Sequence, residues 1–232
     1  VPGVWHENYW FRRHEVVYAW ASARVQRARV ARGRDVIVVD AGCGEGYGTQ
    51  ALADHTPTVA LDYDVWTVEH LTRARPELAA VRGNLASLPL GAGTIDILVS
   101  LQTIEHLWDQ SGFVAECARV LRPGGRLILS TPNRLTFPPG NVFHHRELDG
   151  NELSTLMTEH LDDVDLYGVH HGERLRRWEQ DHGDLVREQI RRPYGEWARP
   201  LRALVSSVGV DDFEIGPATP DCLDLVAVAV AP

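Results

Sequence analysis

The chain has 232 residues, a formal net charge of −9 and an ordinary composition, with 44% hydrophobic and 24% charged residues. This length suits one α/β domain with a substantial core, and the negative charge favours a small or neutral substrate over a nucleic-acid backbone. All 23 basic residues are arginine, and the absence of lysine excludes Schiff-base chemistry, a P-loop and the Tyr-x-x-x-Lys dyad of short-chain reductases.

The spacing of the cysteines and the length of the apolar segments indicate the cellular compartment. Cys43, Cys117 and Cys222 are far apart and show neither metal-ligand spacing nor a disulfide pattern. The sequence shows neither the pattern of a signal peptide nor a long apolar segment. We therefore expect a reduced, cytoplasmic protein that has no membrane partner.

A helix is predicted before the first strand. Residues 1–35 are dense in aromatic and basic side chains. From about residue 9 to residue 32, Trp10, Val17 and Tyr18 fall near one face of a helical repeat. The simplest role of this helix is to pack on a sheet with its arginines outward.

The most informative segment is VIVVDAGCGEGYG, residues 36–48. Its continuous apolar run predicts a strand that is buried on both faces of a parallel sheet. Gly42, Gly44 and Gly46 allow a sharp turn and let a ligand approach the main chain closely. A helix that starts near Glu45 would direct its free N–H groups at that ligand.

Acidic residues around this turn indicate the kind of ligand. The dinucleotide fingerprint requires a glycine where Tyr47 stands, and Asp40 and Glu45 are poor neighbours for a pyrophosphate but suit a ligand with sulfonium and ammonium groups. Asp62 ends the next apolar run, where an acid can accept hydrogen bonds from both hydroxyls of a ribose. A helix N-cap is the alternative role, which Asp64 fills better.

The remaining strands bring polar residues to one edge. Strand three, at 79–82, leads to Asn84 and Leu85, and strand four, at 95–100, leads to Gln102. Strand five, at 126–130, is followed by a proline-rich loop that carries His144 and His145, and strand six, at 163–169, is followed by His170, His171 and Glu173. Open α/β sheets bind ligands at the carboxyl ends of their strands.

The last strand, 223–230, is predicted to form a hairpin with strand six. The insert between them, 172–221, is long for a hairpin connection and reads as helical. We interpret it as a substrate lid, because the faces of Trp178, Tyr194 and Trp197 could stack on sugar rings. Core packing is the alternative role for each of these side chains.

Five segments in order, DAGCGEGYG, VALDYD, GNLASLPL, IDILVSLQTIEHLWD and VLRPGGRLILSTPN, resemble class I S-adenosylmethionine-dependent methyltransferases. The resemblance implies one domain over 1–232 with a Rossmann-like α/β fold. In that fold a seven-stranded, mostly parallel sheet ends in an antiparallel strand and carries helices on both faces. S-adenosylmethionine is the implied cofactor, and the helical segment 1–35 would lie across it.

The resemblance also implies roles for individual residues toward the cofactor. Asn84 would hydrogen-bond the adenine amino group or serve only in a turn, and the Leu85 N–H would meet a ring nitrogen. Arg13 would pair with the methionine carboxylate, and Tyr9 would close over it. His106 would face the methionine moiety or the acceptor, or would only cap the corner after strand four. The predicted cofactor-binding set is Tyr9, Arg13, Gly42, Gly44, Asp62, Tyr63, Asn84, Leu85, Gln102 and His106.

Methyl transfer from a sulfonium requires in-line positioning and the removal of at most one proton. Histidine is the fitting base near neutral pH, and relatives carry a pattern similar to Phe-His-x-Arg-Glu around His144. The predicted catalytic set is His144, His145, His171 and Glu173. A Mg²⁺ ion on His144, His170 and Glu173 is an alternative, although Mg²⁺ prefers oxygen ligands. A second alternative is a purely structural role for one or two of these histidines.

Similarity along nearly the whole chain, from ENYWFRRH to LDLVAVAV, points to mycobacterial sugar methyltransferases of methylmannose polysaccharide synthesis. It implies that the partner is a small oligosaccharide, methylated on the anomeric hydroxyl at the reducing end of a short α-1,4-mannoside. Two alternatives stay open. An enzyme for phenol or quinone rings would need a closed apolar pocket, and a non-catalytic cofactor-binding module would lack an open path to the methyl group.

Overall fold

The computed structural model describes residues 3–232, and its strands form a single sheet. The eight strands found among these residues are β1 (Val38–Ala41), β2 (Thr58–Asp62), β3 (Ala79–Arg82), β4 (Ile95–Leu101), β5 (Leu121–Pro132), β6 (Asp162–His171), β7 (Phe213–Pro217) and β8 (Asp224–Val230). Their order across the sheet is β3-β2-β1-β4-β5-β8-β6-β7.

Helices cover both faces of this sheet. In the described part of the chain the α-helices are α1 (Asn8–Arg32), α2 (Tyr47–Ala53), α3 (Val65–Ala74), α4 (Gln110–Val120), α5 (Gly150–Thr158), α6 (Glu173–His182), α7 (Leu185–Ile190) and α8 (Arg199–Ser207). Short 3₁₀ turns occur at Trp5–Glu7, Ile104–His106, Tyr194–Glu196 and Val210–Asp212. Asp64 caps α3 by accepting the Thr67 N–H, as its position in the sequence predicts.

The sheet confirms the predicted fold class. Strands β3, β2, β1, β4 and β5 are parallel neighbours, and every residue of β1 and β4 is buried. Helices cover both faces of β1 and β4, which is why these two strands are mostly apolar. Strand β8 runs antiparallel to both β5 and β6, so the predicted pairing of the last strand with the sixth is present.

The number of strands corrects the sequence prediction of seven. The segment Phe213–Pro217, which the sequence analysis placed inside a helical insert, forms an additional edge strand antiparallel to β6. Short apolar runs do not distinguish a strand from a helix by periodicity alone, so this run reads as part of the helical pattern beside it.

Helix α1 occupies the region predicted to be helical within residues 1–35, of which residues 1 and 2 lie outside the described part of the chain. It buries Val17, Ala21 and Val25 against the same face of the sheet that α8 covers. On the opposite face, α4 and α5 cover a second apolar cluster. No helix in residues 3–232 is long and apolar enough to cross a membrane.

Candidate active site

A cavity of about 520 Å³ opens at the carboxyl ends of β4 and β5. Its walls come from α1, from the ends of the two strands and from the loop that follows β5. The residues around it are Trp10, Arg13, His14, Gln102, Glu105, His106, Pro132, Phe137, Pro138, Pro139, Gly140, Asn141, His144 and Ile190. The edge of the sheet that the sequence predicts to bind a ligand therefore carries a cavity.

The glycine turn after β1 has the sharp geometry that its sequence predicts. Gly42, Gly44 and Gly46 have positive φ angles of 83°, 49° and 74°, which disfavour other residues. A Cβ atom on Gly42 would lie 2.4 Å from Oγ1 of Thr103. This position therefore requires glycine for two independent reasons.

Asp62 adjoins the glycine turn. The Gly44 N–H donates to Oδ2 of Asp62 at 2.9 Å, and the Asp64 N–H donates to Oδ1 at 3.0 Å. The Gly42 and Cys43 N–H groups donate to the Leu61 carbonyl, which ties the turn to the end of β2. The two sequence features that predict a nucleoside site are thus in contact.

The other residues predicted near the adenine have mixed surroundings. Tyr63 is 65% exposed and Leu85 is buried. The Asn84 side-chain oxygen accepts the Ala86 N–H at 2.9 Å, so the structure gives this residue the turn role that the sequence analysis held as the alternative. Gln102 lines the cavity with a φ of 52°. Backbone strain of this kind, of about 1–3 kcal/mol, tends to occur at functional sites.

Asp40 lies directly beneath the glycine turn. It is completely buried, and its carboxyl accepts hydrogen bonds from Thr49 at 2.6 Å and from Tyr18 at 3.3 Å. Burial raises the pKa of Asp40 to about 7, although both hydrogen bonds oppose the rise. This carboxyl therefore holds a substantial proton population at neutral pH.

His144 is held by a carboxylate. Its Nδ1 lies 2.7 Å from Oε1 of Glu147, and the two side chains are 9% and 13% exposed. A carboxylate only accepts hydrogen bonds, so Nδ1 donates, and in the neutral ring Nε2 carries the lone pair. Since His144 lines the cavity, this is the arrangement that a general base requires. Sequence reasoning assigned Glu147 no role, although a spacing of three residues could have suggested it.

Glu105 is a second cavity residue that sequence reasoning missed. It is 1% exposed, and the Thr131 hydroxyl donates to its Oε2 at 3.0 Å. Burial raises the pKa of Glu105 to about 8. The neighbouring His106 donates from Nδ1 to the Phe143 carbonyl at 2.8 Å, and its ring centroid lies 5.0 Å from that of His144. His106 therefore lines the cavity, and its role toward the cofactor or the acceptor stays a prediction.

His14 also lines the cavity and carries no sequence-based role. Its Nδ1 lies 3.4 Å from the hydroxyl of Tyr47. Burial lowers the pKa of His14 to about 4, so this imidazole is neutral at physiological pH. The sequence predicts only that this helix packs on a sheet, so nothing in it indicates that His14 lines a cavity.

His171 has a structural role, which corrects its place in the predicted catalytic set. The Tyr9 hydroxyl lies 2.7 Å from its Nε2, and Glu179 lies 3.0 Å from its Nδ1. Both ring nitrogens are engaged and the residue is buried. Burial raises the pKa of Tyr9, so this hydroxyl stays protonated and donates. Tyr9 itself has no exposed surface and does not close over a ligand as predicted.

The predicted metal set His144, His170 and Glu173 does not come together. His170 lies on β6 with its Nε2 3.0 Å from the Pro217 carbonyl, and Glu173 is exposed and paired with Arg177. Neither lines the cavity around His144. Strands five and six end at the same edge of the sheet, but β8 lies between them, and this separates their histidines.

Two further predicted side chains are engaged elsewhere. His145 is exposed and its ring packs on Trp108, with the centroids 3.8 Å apart, so it does not line the cavity. Arg13 reaches the cavity, but its Nε and one terminal nitrogen hold Asp224 in a buried ion pair. The predicted partner of Arg13, a methionine carboxylate, is therefore replaced by a carboxylate of the chain itself.

The segment 172–221 contacts the cavity at one residue, Ile190 of α7. Trp197 is buried in the core, with 7% exposure, and Tyr194 is 51% exposed. Trp178 is half-buried and stacks on His182. Packing is thus the role that the structure gives to Trp197, whereas Tyr194 presents its ring at the surface.

A mostly parallel sheet of this strand order, with a glycine turn and an acid at the carboxyl ends of its first two strands, is a Rossmann-like methyltransferase fold. Residues 39–129 match a family model described as a methyltransferase domain. A probable S-adenosylmethionine-dependent methyltransferase of Mycolicibacterium smegmatis is 46% identical, over 100% of this chain and 93% of its own length. A protein with the same description from Mycobacterium tuberculosis is 43% identical, over 100% and 87%. The chain belongs to the S-adenosylmethionine-dependent methyltransferase family.

Solved structures support the fold. A possible histamine N-methyltransferase of Thermotoga maritima superposes with a TM-score of 0.61 at 16% identity, covering 96% of this chain and 94% of that one. A methyltransferase of Archaeoglobus fulgidus gives a TM-score of 0.59 at 14% identity, covering 92% and 94%. At such low identity these similarities concern the fold and not the acceptor.

Proposed function

We propose that the protein transfers the methyl group of S-adenosylmethionine to a carbohydrate hydroxyl. The acceptor we infer is the 1-OH at the reducing end of short α-1,4-linked mannosides or methylmannosides, in methylmannose polysaccharide synthesis. The observation that carries the proposal is the His144–Glu147 pair at the wall of the cavity, in which Glu147 engages Nδ1 of the imidazole and leaves Nε2 as the nitrogen that could accept a proton.

The proposed cofactor site is the corner between β1 and β2. The adenosine would lie along Gly42 and Gly44 with its ribose on Asp62, and the adenine would lie near Tyr63, Asn84 and Leu85. The contact between Gly44 and Asp62 supports this placement. Gln102 and His106 line the cavity, where they would flank the methionine end of the cofactor.

The reaction is a displacement at carbon. The acceptor oxygen attacks the methyl carbon, the bond from that carbon to sulfur breaks, and S-adenosylhomocysteine leaves. The hydroxyl proton passes to Nε2 of His144, and Glu147 stabilises the imidazolium that results. An anomeric hydroxyl is more acidic than other sugar hydroxyls, so a histidine base suffices.

The surroundings of the cavity fit a sugar chain. A second cavity of about 420 Å³ shares Trp10 and His14 with the first and is also lined by Phe11 and Tyr194. Aromatic faces stack on sugar rings, and two adjoining cavities could accommodate successive residues of an oligosaccharide. In this proposal α1 and the insert 172–221 enclose the acceptor.

An acceptor screen tests the proposal. We expect α-1,4-manno-oligosaccharides with free reducing ends to gain one methyl group in the mass spectrum, and the corresponding methyl glycosides to gain none. Methylation of both series would place the reaction at another hydroxyl. A phenolic or quinol acceptor is the second candidate, because Phe137, Pro138 and Pro139 give the cavity an apolar wall. Transfer to such rings and to no mannoside would replace the carbohydrate proposal.

A further inference from the structure

Three potential metal ligands converge at the inner wall of the cavity. Glu105 and His106 lie on the 3₁₀ turn after β4, and His144 lies on the loop after β5. One ligand atom from each lies within 4.8 Å of the other two. In residues 3–232, no other group of three histidine, cysteine or acidic side chains meets that distance.

Each of the three side chains is oriented by a partner on its outer side. The Thr131 hydroxyl holds Oε2 of Glu105, the Phe143 carbonyl accepts from Nδ1 of His106, and Glu147 accepts from Nδ1 of His144. These bonds fix the tautomer of each neutral ring, in which Nε2 carries the lone pair. A carbonyl or carboxylate on the far nitrogen is typical of histidines that bind metals.

We propose that Glu105, His106 and His144 form a binding site for a divalent transition-metal ion. Two imidazole nitrogens and one carboxylate oxygen suit Zn²⁺, Mn²⁺, Fe²⁺ or Co²⁺. They do not suit Mg²⁺, which prefers oxygen ligands, so the Mg²⁺ of the sequence analysis does not fit this donor set. The open positions of the ion would face the cavity.

The spacing of the ligand atoms is close to what an ion needs. Ligand atoms about 2.0–2.2 Å from a metal in a tetrahedral site lie roughly 3.3–3.6 Å from one another. Oε1 of Glu105 and Nε2 of His106 are 4.0 Å apart, and the His106 side chain is 43% exposed. The other two pairs of ligand atoms lie within 4.8 Å, so the side chains must approach one another by up to about 1.5 Å for an ion to bind.

An ion at this site would occupy the lone pair that the proposed base uses. Base catalysis by His144 and metal binding by His144 therefore exclude each other within one molecule. The inference concerns binding alone, and failure of the site to bind metal leaves the proposed methyl transfer untouched.

A cobalt titration of the untagged full chain, stripped with EDTA, tests the site. We expect a single equivalent of Co²⁺ to produce a visible absorption band, and Zn²⁺ to displace it. His106→Ala should weaken Co²⁺ binding at least tenfold because it removes a ligand. Glu147→Gln should weaken it about 10–100-fold, because the glutamine still accepts from Nδ1 of His144 but the negative charge behind the ring is lost.

His145→Ala is the matched control, because His145 is adjacent in sequence but packs on Trp108 away from the cavity. It should bind Co²⁺ as the wild type does, and circular dichroism should show that all variants are folded. The proposal is overturned if the wild type shows no band at saturating Co²⁺, or if His106→Ala and His145→Ala bind it equally.

Discussion

Replacing Glu147 by glutamine tests the proposed base without removing it. The glutamine oxygen can still accept from Nδ1 of His144, so the tautomer is preserved, but the negative charge is lost. The hydrogen bond is 2.7 Å long and both side chains are largely buried. Charge-assisted bonds of this kind contribute about 1.5–3 kcal/mol, and loss of that amount as the imidazolium forms lowers kcat about 10–150-fold.

The assay is release of S-adenosylhomocysteine with a short mannoside acceptor in the presence of EDTA. Calorimetric affinity for S-adenosylhomocysteine should stay at the wild-type value, because Glu147 lies outside the proposed cofactor corner. Glu159→Gln provides the control, since this carboxylate is 51% exposed on the C-cap of α5. If Glu147→Gln leaves kcat unchanged, or lowers it no more than the control does, His144 is not the base.

Three other substitutions test the structure that supports the site. Burial raises the pKa of Asp40 from 3.8 to about 7, so the native state retains this proton longer than the unfolded state. As the pH rises from about 4 to 8, the free energy of unfolding of the wild type should therefore fall relative to that of Asp40→Asn by on the order of 4 kcal/mol, measured by denaturant unfolding. Parallel curves of unfolding free energy against pH for the two proteins would contradict this. Asp224→Ala leaves Arg13 buried without its partner, which should cost about 3–5 kcal/mol and lower Tm by roughly 6–20 °C; an unchanged Tm would show that the pair is dispensable. Gly42→Ala adds a Cβ 2.4 Å from Thr103 at a φ of 83°, and calorimetry should show at least tenfold weaker cofactor binding, an expectation that wild-type affinity would refute.

Features encoded by neighbouring residues could be predicted from the sequence. The glycine turn and the cap of α3 follow from local backbone preferences, which a few consecutive residues determine. The contact between Gly44 and Asp62 follows from the rule that parallel strands end at one edge of the sheet. His144 was identified through a resemblance in its local segment and not through geometry.

Features that depend on distant docking could not be predicted in the same way. Tyr9 and His171 are 162 positions apart, and their bond exists only because α1 packs beside β6. Arg13 of the same helix meets Asp224 of β8, 211 positions along the chain. No local sequence pattern distinguishes an arginine that binds a ligand from one that pairs with a buried carboxylate of the chain.

The separation of the two histidine pairs has a topological cause. His144 follows β5 and His170 lies near the end of β6, the next strand along the chain, but β8 returns to lie between these two strands. The sequence predicts β8 as a partner of β6 without fixing on which side of β6 it lies.

A crystal structure of the chain with S-adenosylhomocysteine and a short mannoside tests the central claim most directly. We predict the nucleoside on Gly42 and Gly44 with its ribose hydroxyls on Asp62, and the sulfur directed into the cavity toward the acceptor hydroxyl. That hydroxyl should lie within hydrogen-bonding distance of Nε2 of His144. An empty glycine corner, or a sulfur atom that points away from His144, would contradict the account.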